Sequence, residues 1–126
     1  MTNKSRNMVK ETVPEANPVE LENQVEREQS LSTVAFLAKS LSDENRLRVL
    51  ISLREGRLSV SSLVEALQLS QPLISHHLKE LKRSLLVKVE RNGPFVYYEL
   101  ADKRILQIIK DLETVAGELL ANRRTF

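Results

Sequence analysis

Apolar residues recur at intervals of three and four positions along most of the chain, and this period predicts a mainly helical fold. The first such run covers residues 31–41, and the charged segment 19–30 before it carries spacings that could extend the helix toward the N-terminus. A second helix follows Ser42 and Asp43, either of which can cap it, and Gly56 is placed to end it.

Two further helices are predicted on either side of a tight turn. Ser59 or Ser61 can cap the short third helix. Ser70 can cap the fourth helix, residues 70–84, where Pro72 stands in the first turn and its missing N–H does no harm. The core-facing stripe predicted for the fourth helix is Ile74, Leu78, Leu81 and Leu85. Two short helices joined in this way, the second with a polar outer face, indicate a helix-turn-helix.

After the fourth helix the hydrophobic period shortens to about two, which predicts strands. Residues 87–100 alternate around Asn92-Gly93, a strong signal for a two-residue turn, and a hairpin directly after a helix-turn-helix is a wing. Asp102 can cap a last helix with a long apolar stripe. We therefore predict a mainly α fold with a small β-hairpin wing, a winged helix-turn-helix domain over residues 31–122.

Composition narrows the class of protein. The chain has 126 residues and no cysteine, which excludes disulfides, thiolate metal cages, iron-sulfur clusters and cysteine redox sensors. No apolar run approaches the roughly 18 residues that cross a bilayer. Pro14 and Pro18 stand where a signal peptide needs its apolar stretch, so we expect a cytoplasmic protein. Residues 1–18 are expected to be a disordered N-terminal tail, and residues 123–126 a C-terminal tail.

The net charge of +2 conceals an uneven distribution. Residues 1–30 are net acidic, whereas residues 31–126 carry the basic excess. This excess is greatest in residues 79–91, where five basic residues outnumber two acidic ones. The five are Lys79, Lys82, Arg83, Lys88 and Arg91. A local basic cluster points to an anionic partner, nucleic acid first, although charge alone is equally compatible with a solvated helix face.

Three segments, in this order and at this spacing, carry a family resemblance: Ala38–Leu50, Leu69–Lys79 and Asn92–Leu100. On these residues the chain resembles the ArsR-type (ArsR/SmtB-like) winged-helix transcriptional regulators. The resemblance covers about three quarters of the chain. It implies a homodimer that binds an inverted-repeat operator in double-stranded DNA, usually as a repressor, until an effector releases it.

The residue types of the fourth helix support DNA binding without the resemblance. Short polar groups near its N-terminus can hydrogen-bond base edges, and long basic groups further along can contact phosphates. Serines at the start of the third helix, and polar residues of the wing, could add backbone contacts. The candidate DNA-binding residues are Ser61, Ser62, Gln71, Pro72, Ser75, His76, Lys79, Lys82, Arg83, Lys88, Arg91 and Asn92. Tyr97 or Tyr98 could also reach a phosphate, but wing aromatics more often pack against the domain.

The first and last helices carry apolar stripes that so small a sheet can hardly cover. We expect them to pair across a two-fold axis, which would place two recognition helices one DNA turn apart, about 34 to 36 Å. The alternative is internal packing in a monomer.

The resemblance also bears on metal sensing. Sensors of this family commonly place metal-binding cysteines in or before the third helix. In this chain serine stands at the corresponding ligand positions within residues 58–63. A second family site maps onto Asp102, Arg104, Val115 and Glu118, where an arginine and a valine replace both imidazoles. We therefore expect no metal site and no cofactor. An ion pair between subunits, of Arg104 with Asp102 or Glu118, could instead switch the dimer by rearranging.

The only histidines are His76 and His77, which point about 100° apart on a helix and cannot chelate one ion together. We expect His77 to be a packed, hydrogen-bonded residue at the edge of the core.

Other functions were weighed against DNA-binding regulation. An enzyme is not expected, because the chain shows no recognisable catalytic triad and no glycine-rich phosphate loop. A winged-helix protein-interaction module would lose the polar outer face of the fourth helix, which this chain keeps. A regulator that responds to a small non-metal ligand, or that activates transcription, remains an alternative to simple repression.

Overall fold

The computed structural model describes residues 17–123, so the predicted tails lie almost entirely outside the described part of the chain. The chain divides into two compact units between Ala35 and Phe36. The first helix crosses this division and begins at Pro18, so residues 19–30 are helical. Asn17 caps it, because its Oδ1 accepts a hydrogen bond from the Glu20 backbone N–H at 2.8 Å, and Pro18 tolerates a first-turn position without an N–H.

Five helices and three short strands follow one another in the described residues. They are α1 Pro18–Ser40, α2 Glu44–Ser52, β1 Leu58–Ser59, α3 Val60–Leu67, α4 Gln71–Arg83, β2 Val87–Asn92, β3 Phe95–Leu100 and α5 Arg104–Ala121. Side chains also cap the next three helices. Asp43 accepts from Arg46 N–H at 3.1 Å, Ser59 from Ser62 N–H at 3.2 Å and Ser70 from Leu73 N–H at 3.3 Å. The mainly helical fold with a wing is confirmed.

The sheet has one strand more than the sequence predicts. Its order is β1-β3-β2, antiparallel throughout, with Leu58 paired to Tyr98 and Ser59 to Tyr97. Two residues are too few to show an alternating period, so β1 leaves no pattern in the sequence. This strand joins the start of α3 to the wing.

The predicted turn at Asn92-Gly93 is wrong by one residue. Asn92 ends β2 and pairs with Phe95, so the two turn residues are Gly93, with φ at 62°, and Pro94. A turn centred on Asn92-Gly93 would close the hairpin with Arg91 and Pro94. Proline has no N–H for that closing pair, and the turn therefore moves one position along the chain.

The predicted cap of α5 also needs correction. Lys103, which makes no side-chain capping hydrogen bond, holds the cap position. Asp102 lies one residue earlier and accepts from the Arg104 backbone N–H at 2.9 Å. It therefore bonds a first-turn amide from outside the helix.

Helix α4 lies at the centre of the hydrophobic core. Its inner face buries Ile74, Leu78 and Leu81 almost completely. They belong to one cluster with leucine and valine side chains of α2 and α3 and with apolar residues of the wing and α5. Each such side chain contributes roughly 1.5 to 3 kcal/mol when it leaves water, so this burial fixes which side of α4 faces outward.

Leu85 was predicted to complete the core stripe of α4, and this prediction is wrong. The helix ends at Arg83, and Leu85 adopts a left-handed conformation with φ at 66° and is 78% exposed. Leu86 N–H bonds the Leu81 carbonyl at 2.9 Å, and Leu85 N–H bonds the Lys82 carbonyl at 3.0 Å. These two bonds form a Schellman motif, which reverses the chain and buries Leu86 in place of Leu85.

The substitution Leu85→Gly is expected to stabilise the domain. Glycine enters the left-handed conformation without the steric cost that leucine bears, and the expected gain is about 1 kcal/mol after allowance for its greater entropy when unfolded. Urea unfolding measures the change. Leu85→Ala is the control, because it shortens the side chain but keeps the strained backbone. A Leu85→Gly protein less stable than Leu85→Ala would contradict this account of the helix end.

His77 is the one histidine inside the core, as the sequence predicts, but it lacks the predicted hydrogen bond. Neither ring nitrogen has a hydrogen-bond partner among the described residues. Its Nε2 lies 3.9 Å from Oδ1 of Asp43, the cap of α2. Burial lowers the pKa of His77 below its ordinary value of 6.5, and the attraction of Asp43 offsets this shift only in part.

This shift predicts that stability falls as the solution is acidified. The unfolded chain binds a proton at His77 below about pH 6.5 while the folded protein resists it, so the free energy of unfolding should decline as the pH falls below about 7. Denaturation curves across this range measure the decline. His77→Met should flatten the curve, whereas His76→Gln, at an exposed position, should not. A decline that persists unchanged in His77→Met would place its origin elsewhere.

Candidate nucleic-acid interface

The outer face of α4 gathers most of the residues that the sequence proposes for DNA contact. Gln71, Pro72, Ser75, His76, Lys79, Lys82 and Arg83 are all exposed. They recur at intervals of three and four, so they share one side of the helix, opposite the buried stripe. The short polar groups lie in the N-terminal half and the long basic ones toward the C-terminal end, as the sequence predicts.

The basic residues of this face differ in their surroundings. Arg83 Nη2 lies 3.0 Å from Glu80 Oε2, and this hydrogen bond lowers the pKa of the Glu80 carboxyl. Within residues 17–123 neither Lys79 nor Lys82 forms an ion pair. The two lysines therefore carry the uncompensated positive charge of the face, and the charge of Arg83 is partly balanced.

The start of α3 presents a small cluster of hydroxyl groups. The Oγ of Ser59 donates to Ser62 Oγ at 3.1 Å and lies 3.2 Å from Ser61 Oγ. Ser61 and Ser62 are both exposed. This cluster borders an open cleft of about 500 Å³ whose other walls are the start of α4 and the tip of the wing. The structure thus brings Ser61 together with Gln71.

The wing does not bring its predicted contact residues to one side. Side chains alternate across a strand, so Lys88 and Asn92 lie on one face of the hairpin and Arg91 on the other. Lys88 Nζ is 3.6 Å from Oε1 of its cross-strand partner Glu99. Arg91 is exposed near the turn and has no acidic residue directly opposite, since its partner is Val96.

Sequence analysis missed a cation near the wing. The Arg57 guanidinium lies 4.4 Å from the centre of the Tyr97 ring and 2.7 Å from Glu90 Oε2. Arg57 stands one residue before β1, and without that strand nothing in the sequence places it beside the hairpin. Tyr97 is therefore partly covered by Arg57, and Tyr98 packs against the core, which agrees with the expectation that wing aromatics pack.

The positions matched to a metal site hold an ion pair. Arg104 Nη2 lies 2.7 Å from Asp102 Oδ2, and side-chain and backbone hydrogen bonds from Arg104 lower the pKa of Asp102 to about 2. Within one chain Arg104 therefore pairs with Asp102, and an inter-subunit pair of Arg104 stays a prediction. Among residues 17–123, no group of three histidine, aspartate or glutamate side chains could hold a metal ion. No helix in that range could cross a membrane.

Helix α5 leaves a long apolar stripe uncovered. It buries only Ile105 and Ile109. Five further large apolar side chains on α5 are exposed: Ile108, Leu112, Val115, Leu119 and Leu120. On α1, Phe36 is exposed as well, and so are Leu31 and Val34 in the preceding unit. The expectation of apolar surface on the first and last helices is confirmed.

Comparison with known proteins connects this architecture to a family. Residues 43–89 match the family described as bacterial regulatory protein, arsR family. The chain is 40% identical over 88 residues to the transcriptional repressor SmtB of Mycobacterium tuberculosis, an alignment that covers 70% of this chain and 65% of that protein. It is 35% identical over 86 residues to the arsenical resistance operon repressor of Staphylococcus aureus, covering 68% of this chain and 83% of the relative.

A solved structure agrees with the fold. The homodimeric winged helix-turn-helix DNA-binding domain of Mb0332 from Mycobacterium bovis, described as a possible ArsR-family regulator, superposes with a TM-score of 0.65 at 27% identity. The match covers 79% of this chain and 93% of that domain. Together with the winged helix-turn-helix built around α4, these matches show that the chain belongs to the arsR family of bacterial regulatory proteins.

Proposed function

We propose that the protein is a homodimeric transcriptional repressor that binds an inverted-repeat operator through α4 and the wing. The observation that carries this proposal is the division of α4 into a buried apolar face and an exposed polar and basic one. The core holds the helix rigidly, so the outer face keeps one orientation when it enters a major groove. The named repressors among the relatives favour repression.

Within α4 the residues divide by what they can recognise. Gln71, Ser75 and His76 carry short hydrogen-bonding groups that suit base edges, and they lie toward the N-terminal end that recognition helices point into the groove. Lys79 and Lys82 carry charges without partners in the described residues and suit phosphates. The proposal therefore assigns sequence selectivity to the first group and general affinity to the second.

Contacts outside α4 position the domain on the duplex. Ser61 and Ser62, at the first turn of α3, offer hydroxyl and backbone N–H groups to a phosphate on one side of the groove. Arg91 and Asn92 lie at the end of the hairpin, from which they can reach the neighbouring groove or backbone. Lys88 is a weaker candidate because Glu99 partly balances its charge.

The uncovered stripe of α5 supports the homodimer. Ile108, Leu112, Val115 and Leu119 are spaced four, three and four residues apart, which aligns them along one side of the helix. A second copy that presents the same stripe would remove both from water. Such a two-fold axis matches a palindromic operator.

We further propose that this regulator does not respond to metal ions. The Asp102 carboxylate is already paired with the Arg104 guanidinium. A metal ion at Asp102 would therefore lie beside a positive charge that repels it. A protein-interaction module is the less favoured candidate, because it would have no use for the exposed polar face of α4.

Substitutions within α4 should separate base readers from phosphate contacts. Ser75→Ala and His76→Ala should each weaken operator binding by about 1 to 3 kcal/mol and leave random DNA binding little changed. Lys82→Ala should weaken both and lower the slope of log affinity against log salt by about 1. Fluorescence anisotropy titrations on both DNAs, repeated at several salt concentrations, measure these effects.

Lys110→Ala is the matched control for lost charge, because this exposed lysine lies on α5 rather than on the proposed interface. It should leave both affinities unchanged. Equal losses on operator and random DNA for Ser75→Ala and His76→Ala would contradict their role as readers.

A charge in the α5 stripe should break the dimer. Leu112→Glu would bury two carboxylates at the two-fold interface, and the dimer dissociation constant should rise at least ~100-fold. Lys110→Glu adds an acidic residue about 200° around the same helix and should leave the dimer intact. Sedimentation equilibrium distinguishes the two variants. A Leu112→Glu protein that dimerises like the unmodified chain would show that the subunits associate through another surface.

A further inference from the structure

Phe95 is an exposed aromatic residue of the wing and does not belong to the apolar stripes of α1 and α5. It is 60% exposed. Nearly all other exposed large apolar side chains of the described residues belong to α1 and α5, apart from Ile51 and Leu85. The surface assigned to the dimer therefore does not account for Phe95, which stands at the first position of β3 beside the turn of the wing.

The Phe95 ring has one aromatic neighbour on its own strand. Its centroid lies 6.4 Å from that of Tyr97, two residues along the same face of β3. The Arg57 guanidinium lies over Tyr97 and is fixed in turn by Glu90 on β2. Phe95 is therefore the outer member of a row that runs from Arg57 through Tyr97. An aromatic side chain loses little conformational entropy when it binds, because it has only two χ angles.

The surroundings of Phe95 point to duplex DNA. Phe95 lines the cleft whose other walls include Ser61 of α3 and Gln71 of α4. Both of these residues belong to the proposed DNA-binding surface, so a duplex seated on them passes the wing beside the ring. No charged side chain lines this cleft, so a contact made within it is non-ionic.

DNA offers apolar surface as well as charge. Deoxyribose carbons, base faces at a widened step and thymine methyl groups are all contacted by phenylalanine in other complexes. We propose that Phe95 makes a non-ionic contact with the operator and so adds affinity that salt does not screen. This inference rests on the proposed function, since it needs an operator to contact.

Salt dependence distinguishes this contact from those of the basic residues. A charged contact releases counterions and contributes to the slope of log affinity against log salt, whereas an apolar contact does not. Phe95→Ala should therefore weaken operator binding about tenfold at every salt concentration with an unchanged slope. Phe95→Tyr should keep most of the affinity, and Arg91→Ala should reduce the slope instead.

A fluorescent probe tests the contact directly, because the chain contains no tryptophan. Phe95→Trp places a single reporter at the wing, and its emission should shift or be quenched when operator DNA is added. Ile51→Trp, on the exposed side of α2, is the matched control and should not respond. Thermal unfolding of each variant verifies that the domain remains folded.

The unmodified protein is measured first, on operator and on random DNA. If it does not distinguish them, the proposed function fails, whatever Phe95 does. If it does distinguish them, three results would overturn this inference while leaving the proposed function intact: Phe95→Ala binds within twofold of the unmodified chain, Phe95→Trp gives no response to DNA, or Phe95→Ala changes dimerisation rather than DNA affinity.

Discussion

The burial of one face of α4 is the constraint on which the rest of the structure depends. Ile74, Leu78 and Leu81 enter the core almost completely, so the helix cannot rotate without exposing them to water. The polar and basic side chains are therefore held outward together. Caps at Ser70 and a Schellman motif at Leu85 set the two ends of the helix, which makes the exposed surface a fixed length as well as a fixed face.

Three features of the structure do not follow from apolar burial. His77 enters it with two ring nitrogens that lack partners in the described chain, close to the carboxylate that caps α2. Leu85 holds a strained backbone where glycine would be relaxed. The ion pair of Asp102 with Arg104 ties the start of α5. Each lies at or beside a helix terminus, His77 through its approach to the cap of α2, and His77 is the one polar side chain that α4 buries in the core.

The sequence was sufficient for helices α2 to α5 and for the wing, because each of them buries one side and so shows a clear hydrophobic period. It failed where a single backbone requirement decides the outcome. Pro94 lacks the N–H that an Asn92-Gly93 turn needs, and the Schellman motif replaces Leu85 by Leu86 in the core. The placement of Arg57 and Phe95 depends on strand pairing between distant residues, which no local pattern encodes. The Asn17-Pro18 start of α1 was readable from its capping chemistry but was overlooked.

The central claim is that the exposed face of α4 reads a DNA sequence. The most direct measurement is the affinity of the unmodified protein for its own promoter fragment and for a scrambled fragment of equal length, at one physiological salt concentration. The account predicts selective binding, with a ratio of at least ~10³ in favour of the promoter that holds the operator. Equal affinities for the two fragments would contradict it and would favour a fold that recognises a protein partner.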